Sequence, residues 1–350
     1  MVLHTAGFGR YIPFAGLTPS DTPALASFKL ITHHSIYLDN QWPPDLMFCH
    51  QLKSFHCETG ITDYQLPPLA WNGLSELSLV LDWPMSTLFF DMDVSDLLSV
   101  LQLSSSLKTC LLQFSKLGTR YNLSFPNHVR TPKDISGVMV TLPHLQKLSI
   151  TGSYSKFDPF CLTKILEKLC LPDLQELQVL SLAYEIDHSE IISPLPAINL
   201  LLCRSRVKFL TMNWMPFMHE IQNFIACFKS ARYLEQLSMK SLIRYEEDHM
   251  RDLYCGINGH VLEALQSVDL CPNLKMLSLE GVSPSTVHRF IQSNCVKRLR
   301  SVYYQIPVEF ESEREAFNEE MKLEVVDQDV RWNLEERKEL PRSKFRFGVE

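Results

Sequence analysis

Apolar residues along this chain return as a short template, L-x-x-L-x-L, with conservative replacements. It stands at Leu52/Phe55/Cys57, Leu74/Leu77/Leu79, Leu107/Cys110/Leu112, Leu145/Leu148/Ile150 and Leu174/Leu177/Val179. It continues at Val207/Leu210/Met212, Leu234/Leu237/Met239, Leu274/Leu277/Leu279 and Leu299/Val302/Tyr304, with a weaker copy upstream at Leu25/Phe28/Leu30. Three stretches extend the likeness: LPHLQKLSI from Leu142, LPDLQELQV from Leu171 and CPNLKMLSL from Cys271. Each carries Pro second and Leu fourth and seventh, and ends on an aliphatic residue. A chain that repeats one apolar template is built as a stack of similar units rather than around one globular core.

The eight steps from Leu52 to Leu299 average about 31 residues, within the range that signals solenoids. They are uneven, from 22 to 40 residues. The x-L-x-L end of each copy alternates apolar and polar, which is the period of a strand. The segments between copies predict helices. Asp158-Pro159 stands before Phe160, Leu162, Ile165, Leu166 and Leu169 as an N-cap with Pro at the first helical position, and Ser283-Pro284 stands likewise before Val287, Phe290 and Ile291. Pro216 opens a run with Ile221, Phe224, Ile225 and Phe228 at helical spacing, and Asp93 precedes Val94, Leu97, Leu98 and Leu101.

One short strand and one helix per unit is the leucine-rich-repeat arrangement. The predicted fold class is therefore α/β: an irregular solenoid, or horseshoe, with parallel strands on the concave face and helices on the convex face. The customary Asn or Cys three residues beyond the last strand position is replaced by Asp82, Ser153, Leu182, Met215, Leu242 and Val282. That side chain normally satisfies backbone groups in the bend, so these units must satisfy them another way. About nine irregular repeats are expected over residues 46–305. Residues 1–45 form a segment punctuated by Pro13, Pro19, Pro23, Pro43 and Pro44, and residues 306–350 form a charged cap or tail. In the tail, residues 311–320 suggest a helix carrying Phe310, Phe317 and Met321 on one side, with Leu323, Val325 and Val326 following as a strand.

Charge and cysteine usage narrow the function classes. The formal net charge is −7 over 350 residues. Residues 309–350 hold 13 acidic and 8 basic side chains, which leaves −2 for the rest. A near-neutral array has no general grip on nucleic acid or an anionic membrane. No apolar run reaches the length of a membrane span. The ten cysteines are scattered without C-x-x-C, and no signal peptide opens the chain, so a reducing cytosol or nucleus is expected. Cys57, Cys110 and Cys271 sit where other copies or turns hold Leu, as small buried hydrophobes.

No catalytic signature is present: no G-x-S-x-G, Walker loop, H-E-x-x-H or G-x-G-x-x-G. The chain is expected to be non-enzymatic, with no cofactor and no metal. The cluster CHQLKSFHC, holding Cys49, His50, His56 and Cys57 with His33 and His34 nearby, has zinc-ligand residue types. Template alternation instead turns Cys57 inward and His56 outward. A repeated pentapeptide is the strongest local oddity: Tyr184 to His188 and Tyr245 to His249, each following a strand and ending in Asp-His. Trp83, Tyr154 and Trp214 occupy equivalent loops. Tyr184, Asp187, His188, Tyr245, Asp248 and His249, with those three aromatics, are the candidate partner-binding residues, because Trp and Tyr dominate interface hot spots. The alternative is that the aromatics fold back over the repeat ends. Outward strand positions hold Ser78, Ser149, Gln178, Thr211, Ser238 and Ser278, and a basic stretch, VKRLR from Val296, suits an acidic partner or a solvated strand edge.

The order and irregular spacing of these motifs resemble the leucine-rich-repeat region of F-box proteins from mushroom-forming fungi. The stretches that carry the resemblance are LPPLAWNGLSELSLVL from Leu66, TLPHLQKLSI from Thr141, LCLPDLQELQVLSL from Leu169, ARYLEQLSM from Ala231, LCPNLKMLSLEG from Leu270 and VKRLRSV from Val296. The resemblance covers about residues 45–305. It implies a substrate receptor whose repeats hold a protein target while an N-terminal F-box docks on the adaptor of a cullin ubiquitin ligase. Residues 1–45 depart from that pattern: no helical apolar period is legible there. The recognition half of the function is implied. A standalone structural or regulatory repeat protein, or a degenerate or truncated gene product, stands as the alternative.

Overall fold

The computed structural model describes residues 2–5, 25–32, 49–59, 70–82, 94–115, 137–152, 161–181, 192–213, 221–240, 259–266, 270–280, 282–292, 299–305 and 331–334. They fall in two compact units, Met1–Val207 and Lys208–Glu350. The first contains strands β1 (Val2–Thr5), β2 (Ser27–Thr32), β3 (Ser54–Thr59), β4 (Glu76–Asp82), β5 (Thr109–Ser115), β6 (Val140–Thr141), β7 (Lys147–Gly152), β8 (Leu169–Cys170) and β9 (Glu176–Ser181). Its helices are α1 (Val94–Leu103), α2 (Leu162–Leu166) and α3 (Leu195–Arg204). The second contains β10 (Phe209–Asn213), α4 (Ile221–Ser230), β11 (Gln236–Lys240), α5 (Gly259–Leu265), β12 (Met276–Glu280), α6 (Pro284–Ile291), β13 (Ser301–Gln305) and β14 (Arg331–Leu334).

Each unit builds a parallel sheet whose strands lie in chain order. In the first the order is β1-β2-β3-β4-β5-β7-β9, with β6 and β8 forming a small parallel pair of their own, and in the second it is β10-β11-β12-β13-β14. The fold class is thus α/β with all-parallel pairing and helices between strands, as the alternation of periods predicts. The template sets the register. Counting its first residue as position 1, position 4 pairs with position 4 and position 6 with position 6: Phe28 with Phe55, Leu77 with Cys110, Leu148 with Leu177, Leu237 with Leu277, Leu279 with Tyr304. Successive strand residues point to opposite faces, so one row of apolar side chains continues across each sheet. Phe55, Leu77, Leu79, Leu112, Ile150, Leu177, Val179, Leu237 and Leu277 are all fully buried.

Position 1 is buried for a different reason. In seven copies its N–H donates to the carbonyl three residues earlier, closing a turn: Leu52 to Cys49, Leu74 to Trp71, Leu107 to Ser104, Leu145 to Leu142, Leu174 to Leu171, Leu234 to Ala231 and Leu274 to Cys271. The prolines of the nonapeptides, Pro143, Pro172 and Pro272, occupy the second residue of that turn. There a fixed φ is an advantage and no N–H is needed. Cys271 opens its turn at φ 46°, an uncommon conformation for a residue with a Cβ, while its N–H donates to the Phe228 carbonyl at 3.3 Å. A second recurrent bond follows the turn. One position-2 carbonyl accepts both the position-2 and position-3 N–H of the next strand: Lys53 from Ser75 and Glu76, Lys108 from Gln146 and Lys147, Lys208 from Glu235 and Gln236, Lys275 from Arg300 and Ser301.

Helices cover the apolar side of each sheet. Template positions 4, 6 and 8 face them: a Cβ on Gly152, two residues past Ile150, would stand 3.0 Å from the Leu162 side chain of α2. Val94, Leu97, Leu98 and Leu101 of α1 are buried as the spacing predicts, as are Phe224 and Phe228 of α4, 4.2 Å apart between ring centroids. Ser283 is the N-cap of α6 with Pro284 at its start, and its hydroxyl bonds Thr286 Oγ1 rather than a backbone N–H. The expectation for α2 needs correction. That helix begins at Leu162 behind Cys161, not behind Asp158, and Leu169 belongs to β8. Leu162, Ile165, Leu166 and Leu169 keep helical spacing, yet the helix stops after five residues and Leu169 and Cys170 pair with Val140 and Thr141 instead, a tertiary pairing that overrides the local period. Ile221, Ile225 and Met212 are only half-buried. Helices α3 and α5 and the β6–β8 pair were not legible in the pattern.

The sheet extends ahead of residue 46, where β1 and β2 add to β3, and beyond residue 305, where β14 pairs with β13 in register. The predicted tail elements over residues 310–326 lie outside the described residues. One bend shows how a unit without the customary Asn is satisfied. The Tyr304 hydroxyl, buried, donates to the Val282 carbonyl at 2.7 Å. Replacing Tyr304 with Phe is expected to cost about 1–3 kcal/mol of stability, because that carbonyl is left desolvated and unpaired. Urea unfolding of the two proteins measures it.

Candidate functional site

The face opposite the helices is made by odd template positions. Position 5 gives Lys29, His56, Ser78, Leu111, Ser149 and Gln178 in the first unit, and Thr211, Ser238, Ser278 and Tyr303 in the second. The serines expected to face outward do lie on this face, yet Ser78 is 2% exposed and Ser149 5%. Strands about 4.8 Å apart set a small hydroxyl below its longer neighbours. Flanking positions carry the charge: Lys147 and Glu176, on adjacent strands, form an ion pair at 2.9 Å.

The densest polar group is at His56. Its Nδ1 lies 2.8 Å from Ser78 Oγ on the next strand, a hydroxyl that can serve the ring in either tautomer. Its Nε2 is 3.6 Å from Glu58 Oε2, too long for a hydrogen bond. Burial holds the His56 pKa below 6.5 and the charge of Lys29 lowers it further, against an opposing pull from Glu58. The imidazole is therefore neutral near pH 7. Ser, His and Glu in contact have the residue types of an acyl-transfer triad, which needs an accessible nucleophile and free N–H donors for the oxyanion. Ser78 is nearly inaccessible, and β4 is paired on both sides, with β3 and with β5.

A depressed histidine pKa has a stability consequence. Below pH 6.5 the unfolded chain binds a proton at His56 that the folded chain resists, so stability falls as pH drops through that window and levels off once the folded state is also protonated. His56→Gln should reduce the dependence. The check is the urea midpoint of both proteins between about pH 5 and about pH 7.5.

The cysteines of this region are structural. Cys57 and Cys110 are buried, and burial pushes both thiols up to about 12. Cys57 points into the core and His56 to the other face, as alternation requires, and among the described residues no group of three or more His, Cys, Asp or Glu could hold a metal ion. His33 and His34 are outside the described residues. So are Trp83, Tyr154, Tyr184, Asp187, His188, Trp214, Tyr245, Asp248 and His249, each in the stretch that follows a strand. Among the described residues no helix is long and apolar enough to cross a membrane.

Sequence reasoning took the basic stretch VKRLR as a local feature and missed its setting. The shared position-2 carbonyl bonds bring Lys208, Glu235, Lys275 and Arg300 side by side where strands β10 to β13 begin. Lys275 Nζ lies 2.7 Å from Glu235 Oε2. The signal was available: reading position 2 of every template copy as one row finds it. No known protein-family model matches this chain, and no curated protein matches it in sequence.

Proposed function

We propose that the chain is a non-enzymatic protein-recognition scaffold, an irregular leucine-rich-repeat solenoid with its parallel strands on the concave face and its helices on the convex face. The observation that carries this reading is the in-register ladder of template positions 4 and 6 through both sheets. It commits one side of each template strand to the core and leaves positions 3, 5 and 7, most of them polar, on the opposite face of each sheet. Such a face suits a macromolecular partner better than a small substrate, since its polar groups are spread along the sheet rather than converging.

Two versions of this function differ in their link to protein degradation. The resemblance to F-box repeat proteins favours a substrate receptor that engages a cullin adaptor. A standalone scaffold is the other version; residues 2–5 and 27–32 are strands of the sheet and are not themselves a helical docking domain. Affinity purification of the tagged full-length chain from its native cells separates them. Stoichiometric recovery of cullin and adaptor supports the receptor. Reproducible recovery of another protein without them supports the standalone scaffold, and a chain that returns folded with no protein partner overturns both.

A further inference from the structure

We propose that the strand-entry edge of the second unit is a docking site for an extended acidic segment of a partner protein, with Lys208, Lys275 and Arg300 as its contact residues. The proposal rests on the recognition-scaffold reading and names the partner chemistry and the surface.

The backbone builds the site. Because the Lys208, Glu235 and Lys275 carbonyls each accept the two entry N–H groups of the following strand, the four position-2 side chains stand at successive strand spacings. Lys208 and Arg300 are three strands apart, or about 14 Å. Arg232, exposed in the turn before β11, adds a fourth cation at the same edge. Glu235 is the only carboxylate of the row.

Glu235 reports what the row does to an acid. Hydrogen bonding by Lys275 and then its charge hold the Glu235 carboxyl below the usual range, with Lys208 and Arg300 adding to the effect. Three cations thus act on one carboxylate, and only Lys275 is paired to it. Among the described residues Lys208 and Arg300 have no ion-pair partner. An extended peptide rises about 3.3 Å per residue, so acidic residues about four apart reach Lys208 and Arg300 together when the peptide crosses the strands. Tyr233, 52% exposed in the same turn as Arg232, and Phe209, 41% exposed next to Lys208, offer apolar contact beside the charges.

The charge is local. Three cations span only about 14 Å and Glu235 interrupts them, which fits a short acidic segment, while residues 1–308 carry a net −2 and give a long polyanion no general grip beyond this edge. This favours an acidic polypeptide over nucleic acid.

The test is fluorescence anisotropy on the full-length protein with a labelled twelve-residue peptide of alternating Glu and Ser. Lys208→Glu/Lys275→Glu/Arg300→Glu should weaken binding by about tenfold or more, since three attractive rim pairs become repulsive. Glu235→Gln frees Lys275 and should tighten binding by about threefold, a gain that misfolding does not produce. Reversal of Lys53 and Lys108, the position-2 lysines of the first unit, should leave it within about twofold. The proposal is overturned if the native protein does not bind the peptide, if the Lys53/Lys108 reversal costs as much as the triple reversal, or if a twelve-residue oligothymidylate displaces the peptide at lower concentration than unlabelled peptide does. Recovery of a partner from cells without peptide binding would sink this site and leave the scaffold reading intact. Peptide binding without a cellular partner would do the reverse.

Discussion

Phe55→Ala is expected to cost about 3–5 kcal/mol, the range for emptying an aromatic site in a core that cannot collapse. Phe55 is fully buried at position 4 of β3. Its ring stacks against Phe28 and meets Trp71 edge-on, each with centroids 6.0 Å away. These neighbours are held by separate backbone features, a strand on one side and the Trp71–Gly73 turn on the other, so neither can move to fill the void. The expected result is a clear fall in the urea midpoint. A loss below about 1 kcal/mol would mean that the strand is not packed as described.

The same substitution placed one residue apart should give opposite results. Leu177 and Gln178 are neighbours on β9, but Leu177 is fully buried against the helix side while Gln178 lies half-exposed on the polar face. Leu177→Lys removes a packed side chain and leaves an ammonium without water or partner, so a penalty above about 5 kcal/mol is expected and the first unit should fail to fold. Gln178→Lys should change stability by about 0.5 kcal/mol or less. Circular dichroism during urea unfolding of both variants reads the contrast. Equal effects would contradict the alternation on which the sheet description rests.

What was legible in the sequence was the part fixed by period two. Each template copy became a strand, and the pairing of Leu77 with Cys110 or Leu237 with Leu277 follows from aligning one copy with the next. The weak copy at Leu25/Phe28/Leu30 became β2 for the same reason. Helix limits were less legible. In residues 160–169 the apolar positions keep helical spacing through to Leu169, and nothing in the sequence says where a helix yields to a two-residue strand. The proline of LPHLQKLSI was visible, but its role as the second residue of a turn appears only with the Leu145 N–H bond to the Leu142 carbonyl. The basic row was hidden because Lys208, Lys275 and Arg300 are far apart in sequence and only the register makes them neighbours. The aromatic and Asp-His candidates rest on residue type, on a repeated pentapeptide and on equivalent loops after strands, and they fall outside the described residues.

The central claim is that the polar sheet face and its entry edge, rather than the helix layer, meet a protein partner. Site-specific photocrosslinking in native cells tests it most directly, with a photoreactive residue at Gln178 or Met276 on the sheet side and at Cys203 or Ala226 on exposed helix positions. The account predicts a discrete protein adduct from Gln178, Met276 or both, and none from Cys203 or Ala226. Adducts from the helix positions alone, or from no position on the sheet side, would contradict it.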